Sequence, residues 1–209
     1  SEILPEIREY ERTSTVVVNA YIGPVVRNYA SALTARLASI GVGCQVEMMH
    51  SGGGIMRLGS AVKRAASLVE SGPAAGVIAC ARLVSGSDEP SIISFDMGGT
   101  TAKAALIEHG EPARTTEYEV GAGINLSSKL VKGGGYPIKM PFIDVSEIGA
   151  GGGSIVAIDR MNQVSVGPQS AGAYPGPVCY GLGGRQATLT DAFLTLGYIN
   201  DVALAGGSF

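Results

Sequence analysis

The feature that most constrains this chain is residues 91–108, SIISFDMGGTTAKAALIE. Ile92, Ile93 and Phe95 predict one β-strand, and residues 104–107 predict a second. The segment DMGGTT lies between the two strands and places a pair of glycines in a tight turn. The stretch therefore predicts a strand, a glycine turn and a returning strand.

The turn carries chemistry that a plain connection does not need. Gly98 and Gly99 allow positive φ and a close approach of the backbone to a ligand. Successive exposed N–H groups form an anion nest, and the hydroxyls of Thr100 and Thr101 add donors. Asp96 suits a divalent cation, because hard cations prefer oxygen ligands. The residues alone leave two interpretations, a site for Mg-phosphate and a hairpin with a purely structural turn.

Bulk composition sets the limits of the fold and of its partners. The 209 residues suffice for one large or two small domains, and a hydrophobic content of 45% supports a core. The net charge is −3, which argues against nucleic acid as the main partner. The 31 glycines have no repeat and indicate a loop-rich globular protein.

The cysteines and the apolar segments bear on the compartment. Cys44, Cys80 and Cys179 are far apart and odd in number, so neither a disulfide framework nor a zinc site is predicted. A reducing, cytoplasmic setting is expected. The sequence shows no apolar run long enough to span a bilayer and no signal peptide. Because it begins at Ser1 without Met, we expect the interior of a longer protein.

Three helices are predicted in the first part of the chain, and one of them covers residues 59–69. Thr13 or Ser14 caps a helix that runs to about Ile40, with a kink or break at residues 23–24. Its helically spaced apolar residues are expected in the core; they are Val17, Ala20, Tyr21, Val25, Tyr29, Leu33, Leu37 and Ile40. A helix rich in small residues follows at residues 71–82, either as a tightly packed interior helix or as an interdomain connection.

Several polar residues invite a catalytic interpretation. His50 follows a strand predicted at residues 42–49, but no partner acid or nucleophile is visible near it. Cys179 has no base nearby in sequence, which favours an inert thiol. Asp144 and Glu147 precede a glycine loop, so they contact a metal or substrate, or serve turn chemistry.

The last third of the chain is dominated by glycine and proline. Residues 149–153 form a glycine loop that leads into a strand at residues 155–158, so a dinucleotide-binding fingerprint is disfavoured. The many glycines and prolines of residues 164–191 predict no regular element before the cap of the last helix. Residues 188–191 cap a last helix, from Ala192 to about Leu196.

Taken together in order, eight segments resemble the hydantoinase/oxoprolinase family. A single segment is a weak signal, whereas the ordered set covers nearly the whole chain. The segments are PEIREYERTS (5–14), SGGG (51–54), SGPAAG (71–76), FDMGGT (95–100), IGAGGGSI (148–155), GPQSAGA (167–173), PGP (175–177) and TDA (190–192).

The resemblance implies part of an actin-like (ribonuclease H-like) ATPase fold, an α/β fold with a mixed sheet, flanking helices and glycine-rich loops. It places the end of the first subdomain at residues 1–70 and an interdomain helix at residues 71–85. Residues 86–209 become part of the second subdomain, with the second phosphate loop. The family's first phosphate loop, an Asp-x-Gly-Gly-Thr segment of the N-terminal region, is missing from this sequence.

The resemblance also implies roles in binding ATP with Mg²⁺ or Mn²⁺. Asp96 is assigned to catalysis and to the metal-bound water, and Gly98, Gly99 and Thr100 to the phosphate oxygens. Thr101 and Lys103 complete the cofactor-binding set of residues. The family often continues this loop with an acid, so Lys103 is a departure that tunes phosphate contact or weakens metal binding.

The function implied is that of an ATP-dependent cyclic amide hydrolase of the hydantoinase or 5-oxoprolinase type. Phosphorylation of a carbonyl oxygen would activate ring opening, with a hydantoinase B-type subunit or domain as partner. The alternatives are an ATP-dependent ketone carboxylase subunit, a sugar- or acyl-kinase relative, and a non-catalytic structural module. The isolated 209 residues are expected to be inactive.

Overall fold

A computed structural model describes residues 2–88, 91–121 and 134–200. The helices are α1 (Glu9–Ser39), α2 (Leu58–Lys63), α3 (Ser71–Leu83) and α4 (Leu189–Thr195), with 3₁₀ turns at Ala65–Leu68 and Val178–Tyr180. The strands are β1 (Glu47–Met49), β2 (Ile55–Arg57), β3 (Ser91–Met97), β4 (Ala102–Glu108), β5 (Glu111–Pro112), β6 (Arg114–Val120), β7 (Tyr136–Ile143), β8 (Ser146–Ile148), β9 (Ser154–Ile158) and β10 (Val164–Ser170).

The chain divides into two compact units. The first unit comprises Ser1–Ser94 and Ala104–Ser146, and the second comprises Phe95–Lys103 and Glu147–Phe209. The turn between β3 and β4 therefore belongs to the second unit, together with residues of the last third of the chain. The predicted subdomain boundaries at residues 70 and 85 stay a prediction.

The fold combines helices with antiparallel strand pairs, which confirms the α/β class in its general form. The predicted hairpin is present as β3 and β4, in a sheet of order β3-β4-β5 in which β8 also pairs with β4. The pairs β1–β2, β4–β5, β6–β7 and β9–β10 are antiparallel.

The core of the first unit lies between α3 and the strands. Ala74, Val77 and Ala81 of α3 are buried in one cluster with Ala105 and Ile107 of β4. Because these α3 residues are small, the helix can lie close to the sheet, which supports its interpretation as a tightly packed helix. Helix α3 begins at Ser71, and Glu70 precedes it in a left-handed conformation without a side-chain cap.

Helix α1 differs from its prediction in three ways. It begins at Glu9 rather than at Thr13 or Ser14, and it continues through Pro24 as one helix. Its large apolar side chains are exposed rather than in the core, with Tyr21 at 84% and Val25 at 71% of full exposure. The prediction that this apolar face forms the core is therefore wrong.

The packed face of α1 is formed by small and polar residues instead. Thr15, Gly23 and Ala30 are its buried residues. The Asn19 side chain donates to the Lys63 carbonyl at 3.1 Å and accepts from the Ala66 N–H at 3.0 Å. Specific hydrogen bonds thus select the face, and apolar periodicity could not reveal that choice.

Two other predicted regions differ from expectation, one in its length and one in its regularity. The strand predicted at residues 42–49 is limited to β1. The region predicted to lack regular structure contains β10 and the 3₁₀ turn at Val178–Tyr180.

Among the described residues, no helix has the length and apolar character needed to cross a membrane.

Thr15→Val tests the polar packing of α1. The Thr15 hydroxyl is fully buried, accepts from the Lys139 N–H at 3.0 Å and donates to the Glu11 carbonyl at 2.7 Å. Valine leaves the Lys139 N–H unpaired, which should lower the free energy of unfolding by about 1–3 kcal/mol in urea titrations. Thr34→Val is the control, because Thr34 makes the same helical back-bond to Ala30 but is exposed. Equal losses in the two variants would contradict the prediction.

Candidate functional site

The hairpin turn, residues 98–101 between β3 and β4, is closed by one hydrogen bond from the Gly98 N–H to the Thr101 carbonyl at 2.9 Å. Asp96 stands just before this turn near the end of β3, and its side chain is exposed. Its carboxylate makes no hydrogen bond or ion pair with the residues that the structure describes. The carboxylate is thus available to a ligand.

The two faces of the hairpin turn are used differently. The Gly98 carbonyl accepts from the Gly152 N–H at 2.9 Å, and the Gly99 carbonyl accepts from the Gly153 N–H at 2.7 Å. The carbonyls are therefore occupied by the glycine loop, residues 149–153. In contrast, the N–H groups of Gly99, Thr100 and Thr101 have no partner within the described parts of the chain. A turn with paired carbonyls and unpaired N–H groups can bind an anion.

The glycines of the turn and of the glycine loop serve different needs. Neither Gly98 nor Gly99 adopts a left-handed φ, so the predicted conformational reason for glycine there is wrong. A Cβ atom at Gly99 would meet nothing within 4 Å, whereas one at Gly151 would lie 2.6 Å from the Thr100 carbonyl carbon. Close packing explains Gly151, but nothing among the described residues explains Gly99.

Lys103 lies on β4 two residues beyond the turn. Its Nζ atom is 4.0 Å from the Glu147 carboxylate, and both side chains are largely buried. The structure therefore brings Glu147 next to a predicted cofactor-binding residue. Asp144, the other candidate carboxylate, belongs to the first unit, where its N–H donates to the Ala113 carbonyl.

No protein-only metal centre accompanies the turn. The described residues contain no group of three or more His, Cys, Asp or Glu side chains able to hold a metal ion. A cation near Asp96 would draw its remaining ligands from water and a bound phosphate, as Mg²⁺ often does.

The start of α4 is built by the predicted cap. Thr188 and Asp191 form a reciprocal capping box, and the Asp191 carboxylate also accepts from the Cys179 N–H at 2.7 Å. Burial raises the pKa of Asp191, but the hydrogen bonds from Cys179 and Thr188 outweigh it, so the pKa is lowered overall. The ionised carboxylate therefore joins the 3₁₀ turn to α4, which is a structural role.

The surroundings of two other candidate residues, Cys179 and His50, favour structural rather than catalytic roles. Burial, with a hydrogen bond to Asp191, raises the pKa of the Cys179 thiol to about 11, which favours the inert interpretation. The His50 ring accepts from the Gly52 N–H at 3.1 Å. Burial, followed by the charges of Arg114 and Arg64, lowers the pKa of His50. The neutral ring thus supports its own glycine turn.

Sequence reasoning missed the residues that hold the glycine loop. The Ser154 hydroxyl accepts from the Gly151 N–H at 2.9 Å. Both the N–H and the hydroxyl of Thr190 donate to the Gly152 carbonyl, at 2.9 and 2.8 Å. The only sequence signal was that IGAGGGSI and TDA occur together in the resemblance, because residues 98, 152 and 190 are too far apart for a spacing rule.

Alkylation tests the Cys179 assignment. With a pKa of about 11, Cys179 should react with iodoacetamide at pH 8 about 100-fold more slowly than an ordinary thiol of pKa about 8.5. Exposed Cys44 provides the internal comparison, and peptide mass spectrometry measures both labelling rates. Equal labelling in denaturant controls for peptide detection. Rapid native labelling of Cys179 would restore the nucleophile interpretation.

Comparison with known proteins gives consistent matches over the whole chain. The family model described as hydantoinase/oxoprolinase matches residues 12–208. An uncharacterised protein of Methanocaldococcus jannaschii is 49% identical over 99% of this chain and 30% of its own length. The caprolactamase subunit alpha of Pseudomonas jessenii is 41% identical over 99% of this chain and 28% of its own length.

Solved structures agree with the sequence matches. Nucleotide-free acetone carboxylase superposes with a TM-score of 0.73 at 27% identity, over 99% of this chain and 27% of that one. The ATP-dependent caprolactamase of P. jessenii superposes with a TM-score of 0.66, over 99% of this chain and 28% of that one. The chain thus spans less than a third of the length of these relatives. Because the family model covers nearly all of its residues, the chain belongs to the hydantoinase/oxoprolinase family.

Proposed function

We propose that the hairpin turn binds the phosphate groups of ATP. The observation that carries this proposal is the unequal use of its backbone, with carbonyls paired to the glycine loop and three N–H groups unpaired within the described residues. The open space at the Cβ position of Gly99 supports it, since that space suits a ligand. Gly98, Gly99, Thr100 and Thr101 form the contact surface, and Lys103 adds a positive charge close to it in sequence.

Asp96 fits a supporting role for Mg²⁺ or Mn²⁺. Its exposed carboxylate has no partner among the described residues, and oxygen is the donor that both ions prefer. The divalent ion would offset charge on the phosphates during transfer. Asp96 would hold a water molecule of that ion, with the hairpin turn as the second point of attachment for the nucleotide.

The substrate class that we propose is a cyclic amide. An amide carbonyl carbon resists attack by water, and its nitrogen is a poor leaving group. Transfer of the γ-phosphoryl group to the carbonyl oxygen weakens amide resonance and gives that oxygen a route to leave as phosphate. Water then adds to the carbon, and cleavage of the ring C–N bond frees the amine and leaves an acyl phosphate. A second water molecule hydrolyses the acyl phosphate, so the products are an amino acid, ADP and phosphate. The turn contributes positioning and charge stabilisation, which dominate catalysis of phosphoryl transfer.

A ketone is the second candidate substrate. Its support is the likeness to acetone carboxylase, an enzyme of ATP-dependent acetone carboxylation. In the structural superpositions the identity to the caprolactamase is higher, 39% against 27% for acetone carboxylase, which favours the amide. A non-catalytic structural module remains the alternative from a different class.

We also propose the actin-like ATPase fold, with the subdomain boundaries given by the resemblance. A second subunit or domain of the hydantoinase B type is the proposed partner, supported by the designation of the caprolactamase relative as subunit alpha. The three cysteines are free, which supports the cytoplasm as the compartment.

The proposal is tested by phosphate release from ATP, using the complete protein together with its partner. Caprolactam, hydantoin, 5-oxoproline, and acetone with bicarbonate would be offered to wild type and to Asp96→Ala. One substrate should stimulate release, and Asp96→Ala should reduce it roughly 10- to 100-fold, since loss of a group supporting a metal typically costs that much. Asp88→Ala is the matched control, because Asp88 is also exposed but lies in the first unit.

The outcomes separate the candidates. Stimulation by a cyclic amide supports the hydrolase, and stimulation only by ketone with bicarbonate supports the carboxylase. If nothing stimulates release, or if Asp96→Ala behaves as wild type, the phosphate-site assignment fails and the structural module leads.

A pair of glycine variants separates ligand binding from packing. Gly99→Ala should leave stability unchanged or raise it by about 0.4–1 kcal/mol, because its added methyl meets no protein atom and its φ is not left-handed. It should weaken ATP binding about tenfold or more, since a hydrogen bond to a charged group is worth roughly 1.5–3 kcal/mol. Gly151→Ala should lower the melting temperature by forcing the two loops apart. Undiminished ATP binding by Gly99→Ala in calorimetry would contradict this assignment.

A further inference from the structure

We propose that Thr190 is a positioning residue for the hairpin turn and acts through the peptide that joins Gly152 to Gly153. This inference rests on the proposed function, because it assigns to Thr190 the orientation of a phosphate-binding N–H group. Thr190 need not contact the nucleotide, and its effect passes through backbone hydrogen bonds.

Thr190 holds the Gly152 carbonyl through two hydrogen bonds. The Gly152 carbonyl accepts from the Thr190 N–H at 2.9 Å and from the Thr190 hydroxyl at 2.8 Å. Two donors from one residue fix both the position and the direction of that carbonyl. Thr190 is itself held at the start of α4 by the capping box of Thr188 and Asp191.

The planarity of the Gly152–Gly153 peptide determines the direction of its N–H group. The Gly152 carbonyl and the Gly153 N–H belong to the same trans peptide, so they point in opposite directions. With the carbonyl held by Thr190, the N–H is directed at the Gly99 carbonyl, to which it donates at 2.7 Å. A Gly-Gly peptide is free to rotate without such a constraint, because neither residue has a side chain to resist it.

The same peptide geometry applies within the hairpin turn. The Gly99 carbonyl shares a trans peptide with the Thr100 N–H. Holding the carbonyl toward the glycine loop therefore turns the Thr100 N–H away from that loop. This N–H has no partner within the described residues and lies on an exposed residue. The result is a hydrogen-bonded series from the Thr190 hydroxyl through two peptides to a free donor.

The series should also strengthen that donor. Each peptide accepts at its carbonyl and donates at its N–H, an arrangement in which successive hydrogen bonds polarise one another. Loss of the Thr190 hydroxyl leaves its N–H bond to Gly152 in place, so the glycine loop should persist while its peptide becomes less constrained.

The test uses Thr190→Val, which keeps the shape and the backbone N–H but removes the hydroxyl, in the complete protein. Thr190→Ser restores the hydroxyl. Thr195→Val removes a hydroxyl from the same helix that bonds only to the Asp191 carbonyl and not to the glycine loop. Calorimetry would measure the Kd for Mg-ATP, and hydrogen–deuterium exchange would follow peptides that cover residues 98–101 and 149–154.

We expect Thr190→Val to raise the Kd for ATP about fivefold, equivalent to one hydrogen bond, and to speed exchange in both segments. Thr190→Ser and Thr195→Val should resemble wild type in both measurements. The inference is overturned if Thr190→Val matches wild type, or if Thr190→Ser is as impaired as Thr190→Val, since the hydroxyl would then not be the cause.

A separate outcome identifies failure of the proposed function. If wild type binds no ATP, the phosphate assignment fails, but exchange at residues 98–101 still measures the coupling. Faster exchange there in Thr190→Val alone would support the positioning role of Thr190 on the turn, and unchanged exchange would refute it.

Discussion

The second unit depends on a pair of backbone hydrogen bonds between two glycine-rich segments that are about fifty residues apart. The glycine loop donates from Gly152 and Gly153 to the carbonyls of Gly98 and Gly99. All four residues are glycines, so no side chain keeps the two backbones from hydrogen-bonding distance, the separation found between neighbouring strands of a sheet. Such an arrangement fixes the backbone of a turn while leaving its outer face free. A ligand site made of main-chain N–H groups needs this support, because an unsupported glycine turn would pay the entropy of ordering at each binding event.

This support explains why the chain uses glycine in two different ways. At Gly151 the neighbouring backbone leaves no room for a Cβ atom. At Gly99 the protein leaves ample room, and the backbone conformation is open to other residues. Glycine carries an entropic cost that Ala would avoid, so its presence at Gly99 favours a requirement that the described residues do not supply. Under the proposed function that requirement is the close approach of a phosphate group.

The sequence predicted those parts that depend on local chemistry. The hairpin, the small-residue helix and the cap at Thr188 follow from strand propensity, residue size and capping geometry, and the structure contains each of them. Prediction failed where contacts with residues far away in the sequence determine the structure. The buried face of α1 is set by hydrogen bonds that Thr15 and Asn19 accept from other elements, whereas apolar spacing selected the exposed face. Likewise, no local rule could predict that Thr190 bonds to the glycine loop, because its partner, the Gly152 carbonyl, is thirty-eight residues away in the sequence.

A site of this kind can operate with very few charged groups. Around the hairpin turn the structure places an exposed carboxylate, Asp96, and a lysine, Lys103, that lies beside Glu147. If Lys103 were fully free, its charge would attract any anion, whereas a nearby carboxylate balances that charge until a stronger anion arrives. A polyphosphate with its divalent ion brings both signs of charge, so it can satisfy the lysine, the N–H groups and the carboxylate together. Under the proposed function, the arrangement would therefore favour a metal-bound polyphosphate over a simple anion.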